Sequence, residues 1–294
     1  MDTLTYSSCE LCARRCGADR TNGQTGFCRS YDTPKITRAA LHYWEEPIIS
    51  GTNGSGTVFF SGCSLGCIYC QNREISRSSV GRSVTADELA TEMLRLEGEG
   101  AHNINFVTPT HFALSVADAI TIARERGLGI PIVYNTGSYD TVNTIRSLDG
   151  LVDIYLPDLK YYRPESAERL SFAKDYPSVA REAIREMVRQ RPRPVIEDGI
   201  MRSGVIVRIL LLPSHVAEAK LSVKYLYETY GDDIYISLMN QYTPMPTMKS
   251  PLDRTVTNAE DSELVRYAER IGVVNAFIQE GGTQQESFIP DFEV

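Results

Sequence analysis

The sequence predicts an α/β fold on a parallel sheet, preceded by a small cysteine-rich segment, and three observations predict it. Short apolar strands alternate with helical segments over roughly 200 residues, the pattern of consecutive βα units. All seven cysteines fall in the first quarter of the chain, at 9, 12, 16, 28, 63, 67 and 70. The rest is ordinary globular composition, 294 residues with 42% hydrophobic and 23% charged, which excludes collagen-like, mucin-like and wholly disordered chains.

The elements follow in order. Residues 1 to 45 carry four cysteines and little periodicity, with Gly17, Gly23 and Gly26 marking turns, so a metal would be the main source of order there. Thr57 to Ser61 reads as a short buried strand. Thr85 to Glu88 is a capping box, and Leu89, Met93, Leu94 and Leu96 follow on one helical face. Asn105 to Thr108 is a strand, Ala113 to Arg126 a helix stopped at Gly127, and Ile130 to Tyr134 a strand. Val142, Ile145 and Leu148 mark a short helix before the strand Val152 to Leu156. Helix resumes over about 164–191, interrupted near Pro177. Val205 to Leu212 is the most apolar strand, followed by a helix from Ala217 to Tyr230 and a sixth strand from Ile234 to Leu238. A last helix runs from Asn258, read as its N-cap, to Ile271, with Val273 to Ile278 as a further strand. Six units suit either an open doubly wound sheet or a partial barrel, and periodicity does not choose between them.

A net charge of -8 argues against a general nucleic-acid binder. No apolar run approaches the roughly 18 residues of a membrane span. The start, Met1-Asp2-Thr3-Leu4-Thr5, lacks the basic and apolar parts of a signal peptide. The expected setting is therefore a reducing, cytoplasmic one with no membrane and no nucleic acid as partner, where clustered cysteines bind metal more often than they pair.

The second cysteine group is Cys63-Ser64-Leu65-Gly66-Cys67-Ile68-Tyr69-Cys70, directly after the first strand of the βα series. Three thiolates this close can reach three irons of one cubane and leave the fourth iron open. A structural zinc site borrowing His42 or His102 is the alternative on spacing alone. Cys-x-x-x-Cys-x-aromatic-Cys in this position resembles the radical S-adenosylmethionine (SAM) enzymes. The resemblance implies a partial (βα)6 barrel, a [4Fe-4S] cluster on Cys63, Cys67 and Cys70 at the C-terminal mouth of the strands, and SAM chelating the open iron beside Tyr69. It implies one-electron cleavage of SAM to a 5′-deoxyadenosyl radical that abstracts a substrate hydrogen, with reduced flavodoxin or ferredoxin as electron donor.

Further motifs resemble the activating enzymes of glycyl-radical enzymes. Asp158-Leu159-Lys160 resembles that branch's Asp-Leu-Lys, which implies Lys160 on the SAM carboxylate and Asp158 near a monovalent cation. Asn135-Thr136-Gly137 resembles its Asp-Thr-Asn-Gly turn, with Asn135 in place of the aspartate and one charge fewer for a cation. Arg208, in an otherwise apolar strand, resembles the branch's fifth-strand arginine; the residues alone suit a structural ion pair with Asp158 equally well. The expected Gly-Gly-Glu turn is missing. Thr108-Pro109-Thr110-His111 stands in its place, and Thr108 and Thr110 are the candidates to receive the SAM ammonium. A histidine near the end of the sixth strand is also missing, leaving Asn240 or Gln241 for the ribose hydroxyls. His42, His102 and His215 are expected not to ligate metal.

Cys9, Cys12, Cys16 and Cys28 form a complete tetrathiolate set, open to zinc or to an auxiliary iron–sulfur cluster. Arg14, Arg15, Arg20 and Arg29 either screen its charge or form a docking face for an acidic donor. With this segment the chain resembles a subgroup of pyruvate formate-lyase-activating-enzyme-like iron–sulfur proteins. The resemblance extends to the tail Gln284 to Phe292, read as a cover for a barrel edge or the site's mouth. The domains read as a cysteine-rich metal-binding segment (1–45), the partial barrel (46–245), and a C-terminal helix and tail packing on it (246–294). The expected function is a glycyl-radical-enzyme activase. Radical modification of another peptide or small molecule is the alternative, and a non-catalytic electron carrier a third.

Overall fold

The computed structural model describes residues 4–279 and residue 292. Among the described residues ten strands form one sheet: β1 (Lys35–His42), β2 (Ser55–Phe60), β3 (Arg82–Ser83), β4 (Ile104–Val107), β5 (Ile132–Thr136), β6 (Ile154–Pro157), β7 (Val195–Glu197), β8 (Ile200–Leu210), β9 (Tyr235–Met239) and β10 (Ala276–Ile278). Their order is β10-β9-β8-β6-β5-β4-β2-β1-β3, with β7 paired to β8. From β2 to β10 the neighbours along this path are parallel, and β1, β3 and β7 pair antiparallel. The six strands read from the βα pattern are β2, β4, β5, β6, β8 and β9. The sheet curls without closing on itself, which makes a partial barrel.

The helices are α1 (Pro47–Ser50), α2 (Arg73–Ser76), α3 (Ala86–Gly98), α4 (Ala113–Glu125), α5 (Val142–Ser147), α6 (Pro164–Ser171), α7 (Tyr176–Gln190), α8 (Val216–Tyr230) and α9 (Asn258–Ile271). The capping box at Thr85 forms with Glu88 as read. The break in the helical region over 164–191 falls before Tyr176, so Pro177 sits in the first turn of α7, where its missing N–H costs nothing. The cap of α9 is Thr257 rather than Asn258, because the Thr257 hydroxyl receives Glu260 N–H while Glu260 returns to the Thr257 backbone. Three strands lie outside the expected set: β3, β7, and β1, which falls inside the segment read as cysteine-rich.

Period-two alternation separates two cores. Phe106, Tyr134, Tyr155 and Val207 face the helices in the main cluster. Val133, Ile154, Leu156, Met201 and Ile206 face the barrel interior and close its floor together with Ile49 of α1. Fully burying Ile49 stabilises by roughly 1.5–3 kcal/mol, enough to hold the linker between β1 and β2 across the barrel. No helix among the described residues is long and apolar enough to cross a membrane.

Candidate functional site

The loop after β2 carries Cys63, Cys67 and Cys70, all free thiols of intermediate exposure. Gly62 opens it at φ 85°, and a Cβ there would sit 2.5 Å from Ser30 Oγ and 2.6 Å from the Cys28 carbonyl. Only glycine fits this left-handed, crowded position. Donors aim at the sulfurs: Leu65 N–H at Cys63 Sγ (3.4 Å) and Ser171 Oγ at Cys67 Sγ (2.9 Å). Tyr69, Tyr161 and Ser171 are linked at 2.7 and 2.6 Å. Each hydroxyl has one proton, so Ser171 donating to sulfur orders the chain from Tyr69 through Tyr161 to Cys67.

Cys67 and Cys70 open into a cavity of about 220 Å³ at the C-terminal ends of the strands, which Tyr69, Asn135, Asp158, Lys160, Arg208 and Gln241 also line. The structure thus brings together eight of the residues singled out by sequence. Arg208 is the hub. Its Nε donates to Asp158 Oδ1 (2.9 Å), Nη2 to Asn135 Oδ1 (2.6 Å) and Nη1 to Glu45 Oε2 (3.3 Å). Lys160 Nζ reaches Asp158 Oδ2 at 2.5 Å. Burial works against the Arg208 cation, but Asp158 and Glu45 outweigh it and raise its pKa. Burial likewise opposes the Asp158 carboxylate, and Arg208 and Lys160 overcome it to hold its pKa low. The ion pair read as an alternative for Arg208 is therefore real, and it lies inside the cavity.

Glu45 was missed. It stands on the linker between β1 and α1, outside any periodic element, yet its Oε1 accepts from Asn105 Nδ2 (3.0 Å) and Asn135 Nδ2 (3.3 Å). It restores beside Asn135 the negative charge that asparagine lacks. Burial raises its pKa, with Arg208 opposing.

Thr108 and Thr110 are not brought to this cavity. Thr110 is buried against Thr136 Oγ1 (3.2 Å), which in turn donates to Asp140 (2.6 Å). The 3-10 turn at Thr110–Phe112 meets the N-terminal segment through the His111 carbonyl, which receives Arg20, and Asp140 forms a backbone bridge with Cys12. Asn240 bonds to Gln279, whereas Gln241 lines the cavity. Of the histidines, His42 lines the cavity and His102 accepts Asn53 N–H (3.2 Å).

In the N-terminal segment Cys9, Cys12 and Cys28 are buried and Cys16 is exposed, all free. A Cβ at Gly26 would collide with Cys16 Sγ, so the glycine makes room for the thiol. Burial pushes the Cys12 thiol up to about 12, with Cys28, Cys9 and Cys16 adding to it. Beside them Arg20 is only 1% exposed. Its guanidinium bonds to the Ser30, Tyr31 and His111 carbonyls and to Cys9 Sγ (3.5 Å), and stacks over Tyr6 and Phe112. None of these partners is a carboxylate. A buried cation needs an anion, and thiolates on a metal supply one. Arg14 also turns inward, donating to Ser64 O (3.0 Å) and Ser171 O (3.2 Å). Arg14 and Arg20 therefore tie and screen the segment and form no docking face, while Arg15 and Arg29 are exposed.

The donor sets fit their expected groups in chemical type: three thiols with N–H and O–H donors on sulfur for an open cubane, and four thiols beside a cation for a closed centre. Among the described residues no three His, Cys, Asp or Glu side chains converge to hold a single metal ion. The tail, Gln284 to Asp291, lies outside the described residues; Phe292 packs on Phe59 at 5.4 Å between ring centroids.

Comparison with known proteins gives the same reading of the barrel. The Radical SAM superfamily model matches residues 57–212. An uncharacterized protein of Methanocaldococcus jannaschii is 28% identical over 276 residues, 90% of this chain and 75% of that one. A radical SAM methyltransferase from Sphaerobacter thermophilus superposes with a TM-score of 0.51 at 18% identity, over 76% of this chain and 66% of that one. Native anSMEcpe with bound AdoMet gives 0.52 at 13%, over 72% and 58%. Streptococcus suis SuiB bound to the precursor peptide SuiA gives 0.52 at 12%, over 75% and 47%. The chain thus spans two thirds or less of these solved structures, and at such identities the likeness is one of fold.

Proposed function

From the premise that the chain belongs to the radical SAM superfamily, we propose that Cys63, Cys67 and Cys70 hold a [4Fe-4S] cluster and that the adjoining cavity binds SAM. When bound, the pair supplies one-electron cleavage of the sulfonium–C5′ bond and a 5′-deoxyadenosyl radical that takes a substrate hydrogen. The observation that carries this reading is the shared cavity, in which two of the three thiols, Lys160 and the Arg208 hub face one another.

The protein's own groups then have distinct tasks. Lys160, held by Asp158, offers its ammonium to the SAM carboxylate. Asp158, Glu45 and Asn135 keep Arg208 in a single rotamer, so the polar floor is preorganised before ligand arrives. Tyr69 and Gln241 wall the cavity beside the cluster loop and help exclude water. Cys9, Cys12, Cys16 and Cys28 hold a second, closed centre, with Arg20 as its counter-ion. Reduced flavodoxin or ferredoxin is the proposed donor.

The finer reading, activation of a glycyl-radical enzyme, is supported by the Asp158–Lys160 pair and Arg208. A second reading, radical modification of another peptide or small molecule, is favoured by the Glu45 contacts, which rebuild the floor of the cavity from outside the barrel strands. Anaerobic reconstitution followed by EPR tests the shared core. A reduced-cluster signal that shifts on adding SAM, and that vanishes when Cys63, Cys67 and Cys70 become Ala, is expected. A signal indifferent to SAM would refute it. Incubation with candidate glycyl-radical partners, read as the glycyl doublet, separates the two finer readings.

A further inference from the structure

A second cavity, of about 420 Å³, adjoins the first and shares Trp44, Glu45, Arg208, Met239 and Gln241 with it. Its size falls within the range of small-molecule sites. Glu46 lines it. This residue is only 8% exposed, and its Oε2 has no hydrogen-bond partner among the described residues. Arg208 makes no hydrogen bond to Oε2: three of its five N–H donors go to Asp158, Glu45 and Asn135, and it acts on Glu46 through its charge alone. Across the two cavities three carboxyl groups (Glu45, Glu46, Asp158) face two cations (Lys160, Arg208), a formal excess of one negative charge; burial raises the pKa of Glu45 and of Glu46, with Arg208 opposing, so a further cation would hold them ionised. The rim is aromatic: Tyr43 and Trp44 are 50% and 60% exposed, and Phe277 lies beside them. A buried carboxylate missing a donor, below aromatic faces, is the arrangement that receives an organic cation.

We propose that this cavity is the substrate pocket of the radical reaction and that Glu46 receives a protonated alkylamine, carried by a free amine or by a lysine side chain. The proposal rests on the radical SAM reading and supplies its substrate class. The ammonium pairs with the Glu46 carboxylate, the alkyl stem passes Trp44 and Tyr43, and the carbon to be attacked is presented towards the neighbouring cavity.

The test is calorimetric titration of the anaerobically reconstituted protein with butylammonium chloride, butyramide, sodium butyrate, potassium chloride and the peptide acetyl-Ala-Lys-Ala-amide. Trp44, the single tryptophan, reports occupancy of this rim by its fluorescence. Binding of butylammonium or the lysine peptide, with a Trp44 change and at least tenfold preference over butyramide and butyrate, is expected. The tighter of the two identifies the source of the amine. Glu46→Gln should weaken that binding about tenfold or more, the loss of a charge-assisted bond. The wild-type series stands alone if the variant fails to fold. Equal binding of butyramide or potassium, an unchanged affinity in E46Q, or competitive loss of amine binding when SAM is added would each overturn the proposal. 5′-Deoxyadenosine formation, followed in parallel on the wild type, tells a failed pocket from a failed radical reading.

Discussion

Arg20 gives the sharpest handle on the N-terminal segment. The perturbation is removal of the metal from the wild type and, in parallel, from Arg20→Met. In the wild type, demetallation leaves a cation that is 1% exposed beside neutral thiols, carbonyls and rings, with no carboxylate among its bonds. Stranding a buried charge in this way costs about 3–5 kcal/mol, and the burial leaves little solvent to discount it. With an unfolding entropy of roughly 2.1 cal/mol/K per residue over 294 residues, that is a drop of about 5–8 °C in Tm beyond the direct loss of metal binding. The Met variant has no charge to strand, so its Tm should fall less by that margin. The assay is differential scanning calorimetry of metal-loaded and chelator-treated protein, with iron and zinc measured on both variants. Equal drops in the two proteins, or a loaded wild type containing only the iron of one cluster and no zinc, would refute the account of Arg20 as counter-ion.

Three further outcomes follow from the same contacts. Lys160→Ala should weaken SAM binding by tenfold or more while leaving iron content unchanged, checked by calorimetric titration with SAM, since a charge-assisted bond is lost. Gly62→Ala should abolish assembly of the Cys63–Cys70 cluster, because a Cβ at φ 85° meets Ser30 Oγ and the Cys28 carbonyl; iron analysis and the absorbance of the cluster read this. His111 should make the fold acid-sensitive. Its Nε2 donates to Ser61 O (2.8 Å) and its Nδ1 has no partner among the described residues, and burial, with Arg20 adding, depresses its pKa from 6.5 to about 3. The unfolded chain therefore binds the proton first, so this contribution is complete above pH 6.5 and is lost as pH falls towards 3, by at most roughly 5 kcal/mol. Denaturant titrations across that range should show a shallower slope in His111→Gln.

How much of this was legible in the sequence depends on where each residue sits. Cys63, Asn135, Asp158 and Arg208 lie at or just beyond strand ends, so strand periodicity alone places them at one mouth. Glu45 and Glu46 lie on a linker that crosses the barrel interior, anchored by Ile49, and no local pattern announces a long-range return. Thr110 sits in a 3-10 turn after β4 and bonds to Thr136, a contact that a strand-ending motif does not specify. β1 was passed over because only two of its eight residues are buried, which leaves no alternation to read. Screening by Arg14 and Arg20 is one of the two readings the sequence offers, and only their long-range contacts decide for it. A basic cluster reads as surface until its carbonyl partners, distant in sequence, are known.

The central claim is that this cavity cleaves SAM. The direct measurement is 5′-deoxyadenosine released by the anaerobically reconstituted protein given SAM and dithionite. The account predicts product in the wild type and none when Cys63, Cys67 and Cys70 are Ala, with reduced yield in Lys160→Ala. A reconstituted protein with a full complement of cluster iron that releases no 5′-deoxyadenosine, or a triple-alanine variant that releases as much as the wild type, would contradict it.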